Sequence, residues 1–347
     1  MEINFGTNVT NCSVIFDVNG NYGISNQNMW IHGNNWNGHV AFPNGVTWGR
    51  INTSAKMNKS VQIPNSVTNA INMFGSCTNL NQNIQIPNSV TSALNMFSIC
   101  RNLNQNIQIP NSVTHAAYMF GSCLSLNQNI QIPNSVMNAV RMFSGCYRLN
   151  QNIQIPNSVT SAAYMFGDCY RLNQNIQIPN SVTNAAGMFS NCGNLNQNIQ
   201  IPNSVTSAAS MFNGCSNLNQ NIQIPNSVID AVSMFGGCRN LNQNILVPST
   251  IASSVLSIFA GCNKLSNIAI MGGYGNNKFL GSIRNNGSQL LNIYTEHSTC
   301  SNFITTNVIR GSSTAVATCI LPTWETVDNG YYNAQYNIRI YNNTVFA

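Results

Sequence analysis

Between residues 61 and 267 the chain repeats one order of apolar and polar positions. Ile84-Gln85-Ile86 sets two apolar side chains on one face and an amide on the other, the two-residue period of a short strand. Pro87 has no N–H to give to a ladder and ends it, and Asn88-Ser89 supplies turn chemistry. Ala93, Met96, Phe97, Cys100 and Leu103 follow at offsets 0, 3, 4, 7 and 10, one helical stripe. The spacing predicts about two helical turns with Thr91 or Ser92 as N-cap.

The same unit recurs in register. Cysteines fall at 77, 100, 123, 146, 169, 192, 215 and 238, with Cys262 one residue late, and prolines keep the same step from Pro64 to Pro248. A period of this size is the mark of a solenoid, in which a coil that cannot bury its own apolar edge is roofed by the next. With strands paired in parallel at about 4.8 Å, like residues form columns and nine coils extend roughly 40 Å. Asn104 and Asn106 recur in each full unit, and stacked amides can bond from coil to coil.

The ends differ from the middle. Val40-Ala41-Phe42-Pro43 copies the I-Q-I-P line, and Trp30, Trp36 and Trp48 crowd the same region, as rings sealing a first coil would. Ser13 to Ile24, with Asn19-Gly20, reads as a hairpin. From Ile268 the repeat vanishes into strand-like runs at Leu290 to Tyr294, Phe303 to Ile309, Ala315 to Leu321 and Tyr336 to Tyr341, with a hairpin turn at Asp328-Asn329-Gly330. The expected organisation is an N-terminal β-hairpin cap over 1–39, a solenoid over 40–267 and a β-rich C-terminal domain over 268–347.

Ile86-Pro87-Asn88-Ser89-Val90-Thr91, then Met96-Phe97 and Cys100, then Leu103-Asn104-Gln105, resemble the leucine-rich repeats of the BspA-like, Treponema pallidum type. They are also similar to related bacterial surface protein repeats. The match spans well over half the chain, and the unit lacks the I-G that precedes the A-F pair of that family. The resemblance implies a leucine-rich-repeat solenoid, an α/β coil of short parallel strand and short helix. It also implies a surface-displayed adhesive or recognition module without enzymatic activity.

Composition narrows the function further. Charged residues are only 6% of the chain, against about 25% in an ordinary soluble domain. Sixty-three asparagines take their place, so the surface is wetted by amides. Seven acids leave little for carboxylate metal or acid/base sites, and the net charge of +6 is spread without the basic stripe that nucleic acid requires. No apolar run reaches the length of a membrane span, and Met1 to Phe16 lacks the pattern of a secretory signal.

Chemistry is sparse. The nine-cysteine ladder lies on the apolar stripe and reads as buried free thiols. Neighbouring Cβ atoms near 4.8 Å lie beyond disulfide geometry of about 3.5–4.5 Å, and no C-x-x-C or His partner offers zinc a site. Cys12, Cys300 and Cys319 stand outside the ladder. Asp168 and Asp230 occupy different unit positions, His115 reads as a surface residue, and Glu296-His297 beside Cys300 has no third group to orient it. No catalytic residue, metal or cofactor is expected.

What varies is the surface. The slot before Met and the slots after Cys bring Tyr118, Arg141, Tyr147, Arg148, Tyr164, Tyr170 and Arg171 onto consecutive coils. Tyr and Arg dominate recognition patches, and these could stack on sugars or meet acidic partners. Drift at exposed positions among duplicated units would also vary them. On the other side, Gln85, Gln108, Gln131, Gln154, Gln177, Gln200 and Gln223 form an amide row that either covers the solenoid or meets a periodic polymer. The expected protein is a non-enzymatic adhesion or recognition module binding a cell-surface glycan or protein. A signal-less, anchor-less chain of this kind suits a bacteriophage virion component, a fibre or host-recognition protein made in the host cytoplasm and docked to other virion proteins through its terminal domains. The alternatives are a bacterial or protist surface adhesin and a passive spacer or decoration protein.

Overall fold

The computed structural model describes residues 2–4, 14–15, 27–32, 40–41, 46–52, 61–251, 258–265, 267–270, 291–295, 317–320, 325–327, 330–333, 338–341 and 344–346. The chain divides into two compact units, 1–176 and 177–347.

In the first unit every coil buries the same set. Val90, Ala93, Met96, Phe97, Cys100 and Leu103 are wholly excluded from water, and Ile84 nearly so. The phenylalanines stack face to face along the unit, Phe74 on Phe97 at 5.4 Å and Phe120 on Phe143 at 5.6 Å between ring centroids. The apolar stripe is therefore as expected, but its backbone is not a helix. Among the described residues from 63 to 244 no helix is present. The N–H groups of Ala93, Asn95, Phe97 and Ile99 leave their own coil and donate to His115, Ala117, Met119 and Gly121 carbonyls of the next. Between them, Met96, Ser98 and Cys100 donate three residues back, to Ala93, Asn95 and Phe97. Four of these seven N–H groups bond across coils, which a closed helical ladder would forbid.

Two corners make this path possible. Asn95 and Ile99 have φ of 54° and 64°, the left-handed region, and the pair recurs in each coil from Asn72 and Ser76 to Ser233 and Gly237. Gly145 fills the second corner without a Cβ, whereas Ile99 holds it with a β-branched side chain that is 37% exposed. A side chain there costs about 1–2 kcal/mol. Replacing Ile99 by Gly keeps the N–H to Gly121 and is expected to stabilise the protein by about 1 kcal/mol once the greater freedom of the unfolded chain is deducted. A thermal melt showing no gain would contradict the corner's cost.

Ile84-Gln85-Ile86 keeps its alternation, with Ile84 buried and Gln85 exposed, but it is not a strand. In the following coils the N–H of Ile107, Ile130 and Ile153 turns back to the carbonyl two residues before it, so it is lost to any neighbour. Val61–Gln62 and Ile245–Val247, at either end of the repeats, do form strands. Parallel bridges between coils form instead at Asn69, Ser92, His115, Asn138 and Ser161. Of the two recurring asparagines, the Asn104 column bonds from coil to coil: Asn81 Oδ1 accepts the backbone N–H of Asn104 at 2.9 Å and Gln105 Nε2 at 3.2 Å, and Asn104 and Asn127 repeat the pattern. Ser89, Ser112, Ser135 and Ser158 each donate 2.6 Å bonds to a valine carbonyl of the preceding coil.

Of the hairpin expected over Ser13 to Ile24, only Val14–Ile15 lies within the described residues. β2 (Val14–Ile15) pairs in parallel with β4 (Val40–Ala41), and β4 with β6 (Val61–Gln62). Val40 lies opposite Val61, as the copied I-Q-I-P line requires. β1 (Glu2–Asn4), β3 (Gln27–His32) and β5 (Val46–Asn52) form a second parallel ladder. It runs into the repeats, since Ile51 donates to the Met73 carbonyl at 2.6 Å and its own carbonyl accepts the Cys77 thiol. Trp30 and Trp48 lie in β3 and β5; Trp36 and the Asn19-Gly20 turn lie outside the described residues.

The second unit repeats the same coil and ends differently. β7 (Ile245–Val247), β8 (Asn267–Ile270), β9 (Leu291–Thr295) and β10 (Ala317–Ile320) form a parallel sheet in chain order. Ile245 lies opposite Ile268, Ile268 opposite Ile293, and Ile293 opposite Cys319. Parallel stacking thus runs through residue 268, where the sequence signature stops, because pairing needs backbone and apolar alternation rather than the full repeat. β11 (Glu325–Val327), β12 (Gly330–Asn333), β13 (Ile338–Tyr341) and β14 (Thr344–Phe346) make an antiparallel sheet, with Val327 opposite Gly330 beside the expected turn. The run Phe303 to Ile309 lies outside the described residues.

Candidate recognition surface

The slot before Met is the first left-handed corner of its coil. Asn72, Asn95, Ser210 and Ser233 occupy it, as does Gly187, and small or amide residues bear that conformation best. Three consecutive coils break the rule: Tyr118, Arg141 and Tyr164 hold φ of 54°, 54° and 52°. Bulky residues kept where glycine is cheaper point to a use for their side chains. The three come together. The Arg141 guanidinium lies over two rings, 5.5 Å from the Tyr118 centroid and 4.6 Å from that of Tyr164, within cation–π range. A guanidinium held over a ring still offers its N–H donors to a further partner.

The slot after Cys carries a second set. Tyr147 and Tyr170 are each 44% exposed and stack at 5.4 Å with 3° between their planes. Arg171 lies 5.9 Å from the Tyr147 centroid, placed there by its backbone N–H on the Tyr147 carbonyl. Arg148 is exposed and its N–H is tied in the same way to Leu124, itself 41% exposed on the preceding coil. The seven expected residues therefore include two stacked triplets, Tyr118–Arg141–Tyr164 and Tyr147–Tyr170–Arg171, with Arg148 exposed. The stacking was readable in advance only as same-slot spacing; the left-handed corners that aim the first triplet were not.

The cysteine column is inward and reduced. All nine ladder thiols are free and buried. Cys100, Cys123, Cys146 and Cys169 in the first unit, and Cys215, Cys238 and Cys262 in the second, each donate S–H to the Phe carbonyl of the preceding coil at 3.1–3.2 Å. That carbonyl also accepts the backbone N–H of its own coil's cysteine, so both lone pairs are used. Burial pushes these thiols well up, Cys262 to about 12. A thiol held protonated is a poor nucleophile and a poor ligand.

Among the described residues no three His, Cys, Asp or Glu stand close enough to hold a metal ion. Asp168 is exposed in the first unit; Asp230, in the second, accepts a 3.2 Å bond from Ser207. His115 is exposed, with Nδ1 2.9 Å from the Thr114 hydroxyl. Glu296, His297, Cys300 and Cys12 lie outside the described residues, and Cys319 lies in β10. No described helix is long and apolar enough to cross a membrane. The glutamine row is exposed throughout, and in the second unit Gln200 and Gln223 border an open groove of about 420 Å³ floored by Ile201 and Ile224.

Stacked coils with an inward Phe, Met and Cys core and an asparagine column define a repeat solenoid of the leucine-rich type. The chain matches the family described as "Mycoplasma protein of unknown function, DUF285" over 52–155, 87–178, 111–200, 133–223 and 179–268, and it belongs to that family. It is similar in fold to a leucine-rich repeat protein from Bacteroides ovatus, with 23% identity and a TM-score of 0.51 over 74% of this chain and 68% of that one. A leucine-rich cell surface protein from Faecalibacterium prausnitzii aligns at 23% identity and a TM-score of 0.42, over 78% of this chain and 83% of that one. A comparison with curated proteins finds no match.

Proposed function

We propose that the protein is a non-enzymatic recognition or adhesion module that meets a cell-surface glycan or protein through its tyrosine and arginine columns. The observation that carries this is Arg141 held between Tyr118 and Tyr164 on three corners that small residues occupy elsewhere. A spacer has no need to bear that backbone cost. The family resemblance to surface repeats supports the same reading.

The test uses serine, which the chain itself places in these slots at Ser210, Ser233 and Ser216. The variants Y118S/R141S/Y164S and Y147S/Y170S/R171S are expected to keep the melting behaviour of the parent. Each is expected to bind target cells at least about tenfold more weakly, the loss of one hot-spot cluster. Unchanged binding in both variants would make the module a spacer. Antibody labelling of cells and of particles released from them decides the carrier. Label on particles supports the virion placement read from the sequence, and label confined to the envelope replaces it by a surface adhesin.

A further inference from the structure

Resting on that reading, we infer that the column Leu124–Tyr147–Tyr170 is a platform for an anionic polysaccharide lying along the stack, one sugar per coil, with Arg148 and Arg171 meeting its acidic groups. The spacing comes first. Tyr147 and Tyr170 repeat at 5.4 Å with their planes 3° apart, and 5.4 Å is close to the length of one sugar residue in an extended chain. A ligand with that period meets an equivalent surface at each coil, whereas a folded protein partner has no such repeat to match. The exposure comes second: Leu124, Tyr147 and Tyr170 are 41%, 44% and 44% exposed on consecutive coils, a strip of apolar edges that sugar C–H faces can cover.

Charge selects the kind of sugar. Between 61 and 176 the chain has four arginines, Arg101, Arg141, Arg148 and Arg171, against a single acid, Asp168. Arg148 and Arg171 occupy the same slot of successive coils, and their backbones hang from Leu124 and Tyr147 of the platform itself. One guanidinium beside one ring on each of two successive coils, Tyr147-Arg148 and Tyr170-Arg171, is the pattern an acidic polymer presents in reverse. Arg binds carboxylate, phosphate and sulfate alike through paired N–H donors, so the shared chemistry is an oxyanion on each repeating sugar. Amides elsewhere on the surface would bind neutral and acidic sugars equally; the arginines are what discriminate.

The experiment measures binding of the full chain to oligogalacturonate and sulfated dextran of graded length, each against its neutral counterpart, carboxyl-reduced oligomer and plain dextran. Affinity is expected to rise with length and then level off, to fall with salt, and to be at least about tenfold weaker for the neutral chains. R148S/R171S is expected to abolish that discrimination, and Y147S/Y170S to weaken acidic and neutral chains together. Equal binding of neutral chains, or indifference to R148S/R171S, overturns the inference. So does absence of polysaccharide binding in a chain that still attaches to cells through the same columns, an outcome that leaves recognition itself standing. Cell attachment indifferent to every column overturns the wider reading instead.

Discussion

Raising the pH above about 9 is expected to unfold the coils, because the unfolded chain ionises thiols that the native column cannot. Burial holds Cys100, Cys123, Cys146, Cys169, Cys215, Cys238 and Cys262 protonated, and for several of them the charge of a neighbouring cysteine adds to the effect. A folded-state pKa above the unfolded value gives stability that is complete below the unfolded pKa. That stability drains away as pH rises toward the folded one, about 12 for Cys262. In that window the native state binds the extra proton, so each thiol removes about 1.4 kcal/mol per pH unit. The four thiols Cys100 to Cys169 of the first unit together remove about 5 kcal/mol per unit, comparable with the whole stability of an ordinary domain. Urea midpoints at neutral pH and at steps up to about pH 10.5 measure the slope. Cys146→Ala, which removes a single thiol from the column, is the control. It should flatten the slope by about 1.4 kcal/mol per pH unit, and an unchanged slope would place the alkaline sensitivity elsewhere.

Much of this core was legible from spacing alone. Ala93, Met96, Phe97, Cys100 and Leu103 were expected inward and are inward, because burial depends on which side chains face the axis. The backbone that faces them was not legible in the same way. Offsets of 0, 3, 4, 7 and 10 suit a helix, and they also suit successive three-residue turns reset by left-handed corners. The discriminating signal was present: the slots before Met and before Cys are filled by Asn, Ser and Gly in most coils, residues that favour such corners and weaken helices. The repeat-wide view decides between them, since N–H groups that bond to the next coil cannot also close a helix. The parallel pairing of Val14 with Val40 is likewise a non-local feature that no local sequence signal announces.

The proposed recognition surface was legible only as a set of slots. Same-slot residues were expected to meet, and Tyr147 and Tyr170 do, because one coil is a rigid translation of the last. That Arg141 would sit between rings depends on the corner conformation, which single-residue propensity argues against for Tyr and Arg alike. Side chains that run against local preference are the positions where sequence reasoning is weakest and where function concentrates. The virion placement has no such anchor in the geometry.

Removing one ring from the phenylalanine column is expected to cost about 3–5 kcal/mol, as large as any single substitution in the first unit. Phe143 is wholly buried and stacks on Phe120 at 5.6 Å and on Phe166 at 5.7 Å, with interplanar angles of 3° and 4°. Phe143→Ala leaves a void bounded by two rings that cannot close over it, because the backbone is held by bonds between coils, Phe120 N–H to the Met142 carbonyl and Phe143 N–H to the Met165 carbonyl among them. Two aromatic contacts, worth about 0.5–1.5 kcal/mol each beyond area, go with it. In a stack each coil draws stability only from its neighbours, so the damage should spread one coil each way and then fade. Hydrogen exchange should therefore show lost protection around Phe120 and Phe166 as well as at the mutated coil, while Leu124→Ala on the surface stays within about 0.5 kcal/mol of the parent. A loss below about 1 kcal/mol for Phe143→Ala, or a uniform loss of protection along the whole unit, would mean that the rings do not carry the stacking energy coil by coil.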